Sequence, residues 1–180
     1  MHHAGTYFIC MKSIIALLVF SYAMLFPMTI NAAGGDLQPV PDFNLKRYLG
    51  KWYEIARLPA WFEKGLDSVT ATYSLKDNGM VKVENAGVKN GKKKQAVGKA
   101  KFAVDTSVGY LRVSFFWFFY ADYVVIALDD DYRYAMVASS HKYLWILCRE
   151  PKLDQAVVHD LVEKAKTLGF DVAKLYYTPQ

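Results

Sequence analysis

Cysteine is almost absent from this chain of 180 residues, which holds only Cys10 and Cys148. Cys10 lies ahead of a long apolar stretch near the N-terminus, so the rest of the chain has one thiol and can close no internal disulfide. Whatever folds there must be stable by packing alone. Cys148 sits in the run Leu144-Trp-Ile-Leu-Cys148, a setting for a buried, inert thiol rather than a nucleophile. Histidine is as sparse. His2 and His3 fall near the N-terminus, His141 in a turn and His159 on a helical segment. No His-centred catalytic set and no metal cluster is expected from that scatter. Gly-rich phosphate loops, internal repeats and low-complexity linkers are also missing. No cofactor is implied, and the expectation is a protein that is not an enzyme.

A bilayer-spanning run is missing too. The longest apolar stretch, Ile14 to Met28, has 15 residues, short of the roughly 20 that a membrane helix needs. Lys12 precedes it, Pro27 interrupts it, and Asn31-Ala-Ala-Gly-Gly35 follows. That order matches the charged, apolar and small-residue regions of a secretory signal. An uncleaved anchor is the alternative. Residues 1–35 are therefore assigned as a leader and residues 36–180 as one domain, with cleavage expected after Ala32, Ala33 or Gly34. Met11 is the more ordinary start, which makes residues 1–10 an upstream extension.

What the chain has in excess is aromatic residues, 16% of the total, and removing the leader leaves that share almost unchanged. Past Gly50 the pattern is short β-branched or aromatic runs bounded by turn residues. Eight strands are expected over 52–57, 69–75, 80–87, 95–104, 110–115, 123–128, 133–139 and 143–148. Asp77-Asn-Gly79 and Asn90-Gly91 are hairpin turns. One segment differs: between residues 153 and 168 the apolar positions recur at helical spacing, with Asp154 as N-cap and Gly169 just past the end. A last strand is expected over 172–177. The fold class is all-β. Eight antiparallel strands are enough to close an up-and-down barrel and hold one small ligand, and closure removes exposed edges. The helix then packs outside, over positions such as Tyr53, Ile55 and Val137.

Successive turns of such a barrel alternate between its ends. Gly50 and Trp52, the Asp129–Tyr132 turn and Arg149 thus meet at one end, where an arginine stacked on an indole makes a compact plug. Trp61-Phe62, residues 89–94, residues 115–120 and residues 139–142 gather at the other. There Phe115-Phe-Trp-Phe-Phe-Tyr120 places six aromatics in a row. They are expected to touch a membrane, or else to pack under a lid or in a dimer contact. Lys89 and Lys92-Lys-Lys94 read as a solvated turn or as an anionic-lipid contact. No nucleic-acid module surrounds them, and no nucleic-acid partner is expected.

Gly50-Lys-Trp-Tyr-Glu54 carries the Gly-x-Trp signature of the lipocalins. Asp129-Asp-Asp-Tyr132 resembles that family's second motif and Arg149 its third. The resemblance spans about residues 43–177. It is strongest to the bacterial outer-membrane lipocalins, through residues 46–57, 69–75 and 143–147. It implies an eight-stranded calyx with one C-terminal helix outside and a short last strand. The ligand it implies is small and lipophilic, a fatty acid or lysophospholipid, bound without a covalent step. Gly50, Trp52, Asp129, Tyr132 and Arg149 then form the closed end. Strand alternation assigns the lining to Glu54, Ala56, Ala71, Tyr73, Val83, Phe102, Val113, Phe115, Tyr134, Met136, Tyr143 and Trp145. Glu54 is expected to pair with a tyrosine hydroxyl or with a ligand polar group. A lipid-modifying enzyme on the same barrel and a surface interaction module are the alternative readings. In one respect the chain departs from the bacterial pattern: it has no lipobox cysteine near Ala32–Gly35. A soluble periplasmic or secreted protein is expected, with outer-membrane association open.

Overall fold

Asn90 and Gly91 both take positive φ, 52° and 71°, the requirement of the two-residue hairpin turn whose twist matches its flanking strands. That turn joins two strands that begin and end within a residue of it. In the computed structural model, which describes residues 37–180, the lysines of residues 89–94 therefore stand on strand ends and not in a loop. The strands are β1 (Gly50–Arg57), β2 (Asp67–Leu75), β3 (Val81–Lys89), β4 (Lys92–Phe102), β5 (Tyr110–Phe116), β6 (Phe119–Leu128), β7 (Tyr134–Ser139), β8 (Tyr143–Cys148) and β9 (Tyr176–Tyr177). A one-turn helix α1 (Leu45–Tyr48) precedes them, and α2 (Gln155–Thr167) lies between β8 and β9.

The sheet order is β2-β3-β4-β5-β6-β7-β8-β1-β9, and β1 also pairs with β2. Eight strands close into an antiparallel up-and-down barrel, and β9 sits outside on β1. The leader and its cleavage site lie outside the described residues. Closure at β1 and β2 is short, covering only Gly50–Tyr53 on β1. Beyond it the C-terminal residues bridge the two strands. Thr178 N–H donates to Ile55 O at 3.0 Å and Ser68 N–H to Pro179 O at 2.7 Å. Gln180 Nε2 donates to Glu54 O at 2.6 Å and Val69 O at 3.1 Å.

Two apolar clusters result. One fills the barrel around Trp52, Tyr73, Val83, Leu111, Val125 and Val137. The other lies outside, between the wall and α2, and contains Ala56, Ile126, Met136, Ile146, Leu161 and Ala165. Helix α2 is set by its ends. The Asp154 side chain accepts from Ala156 N–H at 2.8 Å. Gly169 at φ 87° lets Phe170 N–H reach back to Ala165 O, a Schellman close.

The two clusters correct three of the expected lining residues. Ala56, Tyr134 and Met136 belong to the outer cluster, under the helix. On β1 the cause is a bulge between Glu54 and Ala56 against β8: one extra residue turns Ala56 outward and Arg57 inward. On β7 both faces are buried, so Tyr134–Ser139 has no apolar/polar alternation to set its phase. Its inward residues are Ala135 and Val137, so Val137 is not one of the positions that the helix covers. The last strand is also shorter than expected, a 3-10 turn over Val172–Lys174 followed by the two residues of β9.

Candidate functional site: the barrel interior and its mouth

The closed end assembles around Trp52, which has no exposed surface. Its Nε1 donates to Tyr48 O at 2.9 Å. The Arg149 guanidinium covers the indole at 3.9 Å and donates to Lys51 O at 3.0 Å, Arg47 O at 2.6 Å and Tyr132 O at 3.3 Å. Gly50, at φ 95°, leaves room for that guanidinium: a Cβ there would lie 3.3 Å from Arg149 Nη1. Tyr132 accepts Asn44 N–H on its hydroxyl at 2.8 Å. Asp129 takes two hydrogen bonds from the Arg133 side chain at 2.8 Å, and they lower its pKa to about 2. Gly50, Trp52, Asp129, Tyr132 and Arg149 are thus brought to one end.

Above the plug stands a group of three hydroxyls absent from the sequence expectations except for Tyr73. Tyr123 Oη lies 2.7 Å from Tyr48 Oη and 2.8 Å from Tyr73 Oη. Burial, with smaller contributions from their neighbours, holds all three as neutral phenols, Tyr73 at about 12. The floor of the interior is therefore polar but uncharged.

The walls differ. Trp52 pairs with Ala71, Ala71 with Asn85, and Asn85 with Ala96. Tyr73, Val83 and Gly98 form the next row. Apart from Tyr73, the β2–β4 wall carries the modest side chains of Ala71, Val83, Asn85, Ala96 and Gly98, while Trp52, Tyr123 and Trp145 on the other strands are bulky. Gly98 cannot be larger, because a Cβ would meet Ser114 O at 2.6 Å and Phe115 Cδ1 at 2.8 Å. Phe115 leans over it and remains 42% exposed. Phe102 packs low, edge-on to Phe43 at 6.2 Å, and Val113 joins the inner cluster. Asn85 Oδ1 is buried and has no hydrogen-bond partner.

Toward the mouth, Tyr143 stacks on Trp145 at 6.2 Å and meets Phe62 at 5.8 Å. Glu54, in phase with Trp52, and Arg57, turned inward by the bulge, form a buried ion pair, which Thr178 Oγ1 joins. The Glu54 partners are thus Arg57 and Thr178, and no tyrosine hydroxyl contacts it. Arg57 Nη2 also donates to Glu63 O and Leu66 O, each at 3.0 Å, tying the β1–β2 loop to the barrel. Glu63, on that loop, turns inward and accepts from Trp145 Nε1 at 3.0 Å. Burial, then the nearby Glu54 charge, pushes its pKa up to about 7, against the pull of the indole N–H and Arg57. Sequence reasoning missed Arg57 and Glu63. The bulge leaves no local mark, and a carboxylate beside Trp61-Phe62 reads as an ordinary loop residue. Cys148 is buried, and burial raises its thiol pKa. Among the described residues no group of three or more His, Cys, Asp or Glu side chains is placed to hold a metal ion.

The family model for the lipocalin-like domain matches residues 43–180. This chain is a lipocalin. Outer membrane lipoprotein Blc of Vibrio cholerae is 45% identical to it over 149 residues, 81% of this chain and 87% of that protein. The protein of the same name from Escherichia coli is 46% identical over 144 residues, 78% of this chain and 81% of that one. Apolipoprotein D of Bos taurus is 38% identical over 149 residues, 77% of this chain and 78% of that one. Among solved structures, insecticyanin from the tobacco hornworm Manduca sexta superposes with a TM-score of 0.68 at 26% identity. That match covers 82% of this lipocalin and 86% of insecticyanin. The architecture is that of the family: a closed barrel with one helix outside, suited to a small hydrophobic ligand.

Proposed function

We propose that this lipocalin is exported and carries a lipid of the fatty acid or lysophospholipid class in its barrel, without chemical conversion. The observation that carries the reading is Asn85. Its Oδ1 is a buried acceptor without a partner, set between Ala71 and Ala96 in the row that begins at Trp52. A buried carbonyl left unbonded costs about 1–3 kcal/mol, a cost that a ligand hydroxyl, amide or protonated carboxyl would relieve. Ala71, Tyr73, Val83, Phe102, Val113, Phe115, Tyr143 and Trp145 supply apolar surface for an acyl chain, the usual make-up of a small-molecule site. Within the barrel, Arg57 is committed to Glu54, Thr178 and two loop carbonyls. A charged head-group therefore finds free cations at the mouth rather than inside. The names of the bacterial relatives accord with export to the cell envelope.

Titration with a fluorescent fatty acid tests the reading. Saturable binding that lysophosphatidylcholine displaces, with a change in Trp145 emission, is the expected result. A linear, non-competable signal sinks the proposal. Lipid turnover in the same mixture, abolished by Glu63→Gln, would move the reading to an enzyme.

A further inference from the structure

Four consecutive aromatic side chains stand in solvent at one hairpin tip. Phe116 is 76% exposed, Trp117 82%, Phe118 64% and Phe119 67%. Phe116 pairs with Phe119, so Trp117 and Phe118 are the two turn residues. Trp117 takes φ 47°, an unfavourable conformation for a bulky side chain. The rings gather against one another, Trp117 with Phe118 at 5.7 Å and Phe118 with Phe119 at 4.5 Å. A contiguous apolar patch at such a site marks a contact surface.

The same end of the barrel carries positive charge. The β1–β2 loop adds Trp61, 82% exposed, and Phe62, with Lys64 beside them. The β3–β4 hairpin adds Lys89, Lys92, Lys93 and Lys94, all exposed. Lys89 Cε lies 3.7 Å from where a Gly65 Cβ would stand, so hairpin and loop are neighbours. Lys99 and Lys101 hold their ammonium groups over the Tyr120 ring, at 5.8 and 5.0 Å. The acids near this end are engaged: Glu63 with Trp145, Asp67 with the Tyr176 hydroxyl, and Asp122 with Tyr110 and Arg112.

We infer that this end of the barrel docks on an anionic lipid bilayer, with the Phe116–Phe119 tip among the head-groups and the lysines on lipid phosphates. Exposed Trp and Phe flanked by Lys suit the membrane interface, where aromatic rings settle at head-group depth and lysine stems reach phosphate. A protein partner fits less well, because lysine is depleted from protein interfaces. A two-fold copy would set these lysines against their own counterparts. The inference does not depend on which ligand occupies the barrel.

Flotation of the full chain with vesicles tests it, using phosphatidylcholine alone and with about one-third phosphatidylglycerol. Wild type is expected to bind the anionic vesicles at least tenfold more strongly, with binding that falls as salt rises. The combined variant Phe116→Ser, Trp117→Asn and Phe119→Ser is expected to lose at least tenfold, with an unchanged circular dichroism melt. Both chains carry the same residues 1–36, so the difference reads the tip. Lys93→Glu with Lys94→Glu is expected to remove the preference for anionic vesicles. Fatty-acid binding in vesicle-free solution, unchanged in the tip variant, separates docking from ligand carriage. Equal flotation of wild type and tip variant overturns the inference. So does a wild-type dimer in sedimentation that the tip variant dissolves, which would assign the patch to a second copy of the chain.

Discussion

The Arg149 guanidinium lies 3.9 Å from the centroid of the Trp52 ring and at the same time binds carbonyls of three separate segments. It fastens the lead-in helix, the start of β1 and the β6–β7 turn to one indole. A planar fork does this and an ammonium does not. Arg149→Lys is expected to cost about 1–3 kcal/mol, from lost carbonyl bonds and weaker stacking. Trp52→Ala is expected to cost about 3–5 kcal/mol. Urea unfolding followed by far-ultraviolet circular dichroism measures both.

Glu54 and Arg57 form a pair taken out of water. Removing one member strands the other, and each single variant, Glu54→Gln or Arg57→Met, is expected to lose about 3–5 kcal/mol. The double variant is expected to recover part of that loss. A double-mutant cycle in urea that shows simple additivity would mean the pair is not coupled.

The pKa of Glu63 is raised in the folded protein, to about 7 from 4.5, so the folded state holds the proton more tightly than the unfolded chain. That contribution to stability is fully present below about pH 4.5 and is lost as pH rises through 7. Glu63→Gln keeps an acceptor for the Trp145 indole and removes the charge. The variant is expected to be more stable than wild type at pH 8 and to lose the change in Trp145 emission centred near pH 7. A fluorescence titration of both proteins decides it.

Asn85→Leu separates apo stability from ligand affinity. Deleting an orphaned buried acceptor is expected to leave the ligand-free barrel as stable as wild type, or more so. For a lipid that donates a hydrogen bond, affinity is expected to fall about tenfold, the equivalent of one lost bond. A thermal melt and a displacement titration on the same sample give both numbers.

The strand count, the outer helix with its Asp154 and Gly169 caps, and the residues of the closed end were readable because turn residues and period-two runs carry them. Phase was harder. Strand alternation holds along β2 to β4, where one face meets water, and there Ala71, Tyr73 and Val83 point inward as expected. It fails at β1, where the bulge after Glu54 reverses the rest of the strand and sends Ala56 under the helix. It also fails at β7, where burial on both faces removes the signal and Tyr134 and Met136 lie on the helix side of the wall. Arg57 faces Trp145 through the shifted β1–β8 register, and Glu63 reaches Trp145 through the folded β1–β2 loop; no spacing in the chain records either.

The short closure between β1 and β2 means that the barrel is completed in two different ways along its length. Near the plug, strand registry fixes the girth, because four residues of β1 pair directly with β2. Nearer the mouth the ring is completed by residues 176–180, attached through Thr178, Pro179, Gln180 and the Tyr176 hydroxyl to both strands. There the ring closes through the β1–β9 ladder on one side and through single hydrogen bonds to β2 on the other. Opening at the rim would break only those few bonds to β2, while every strand pair below it keeps its register.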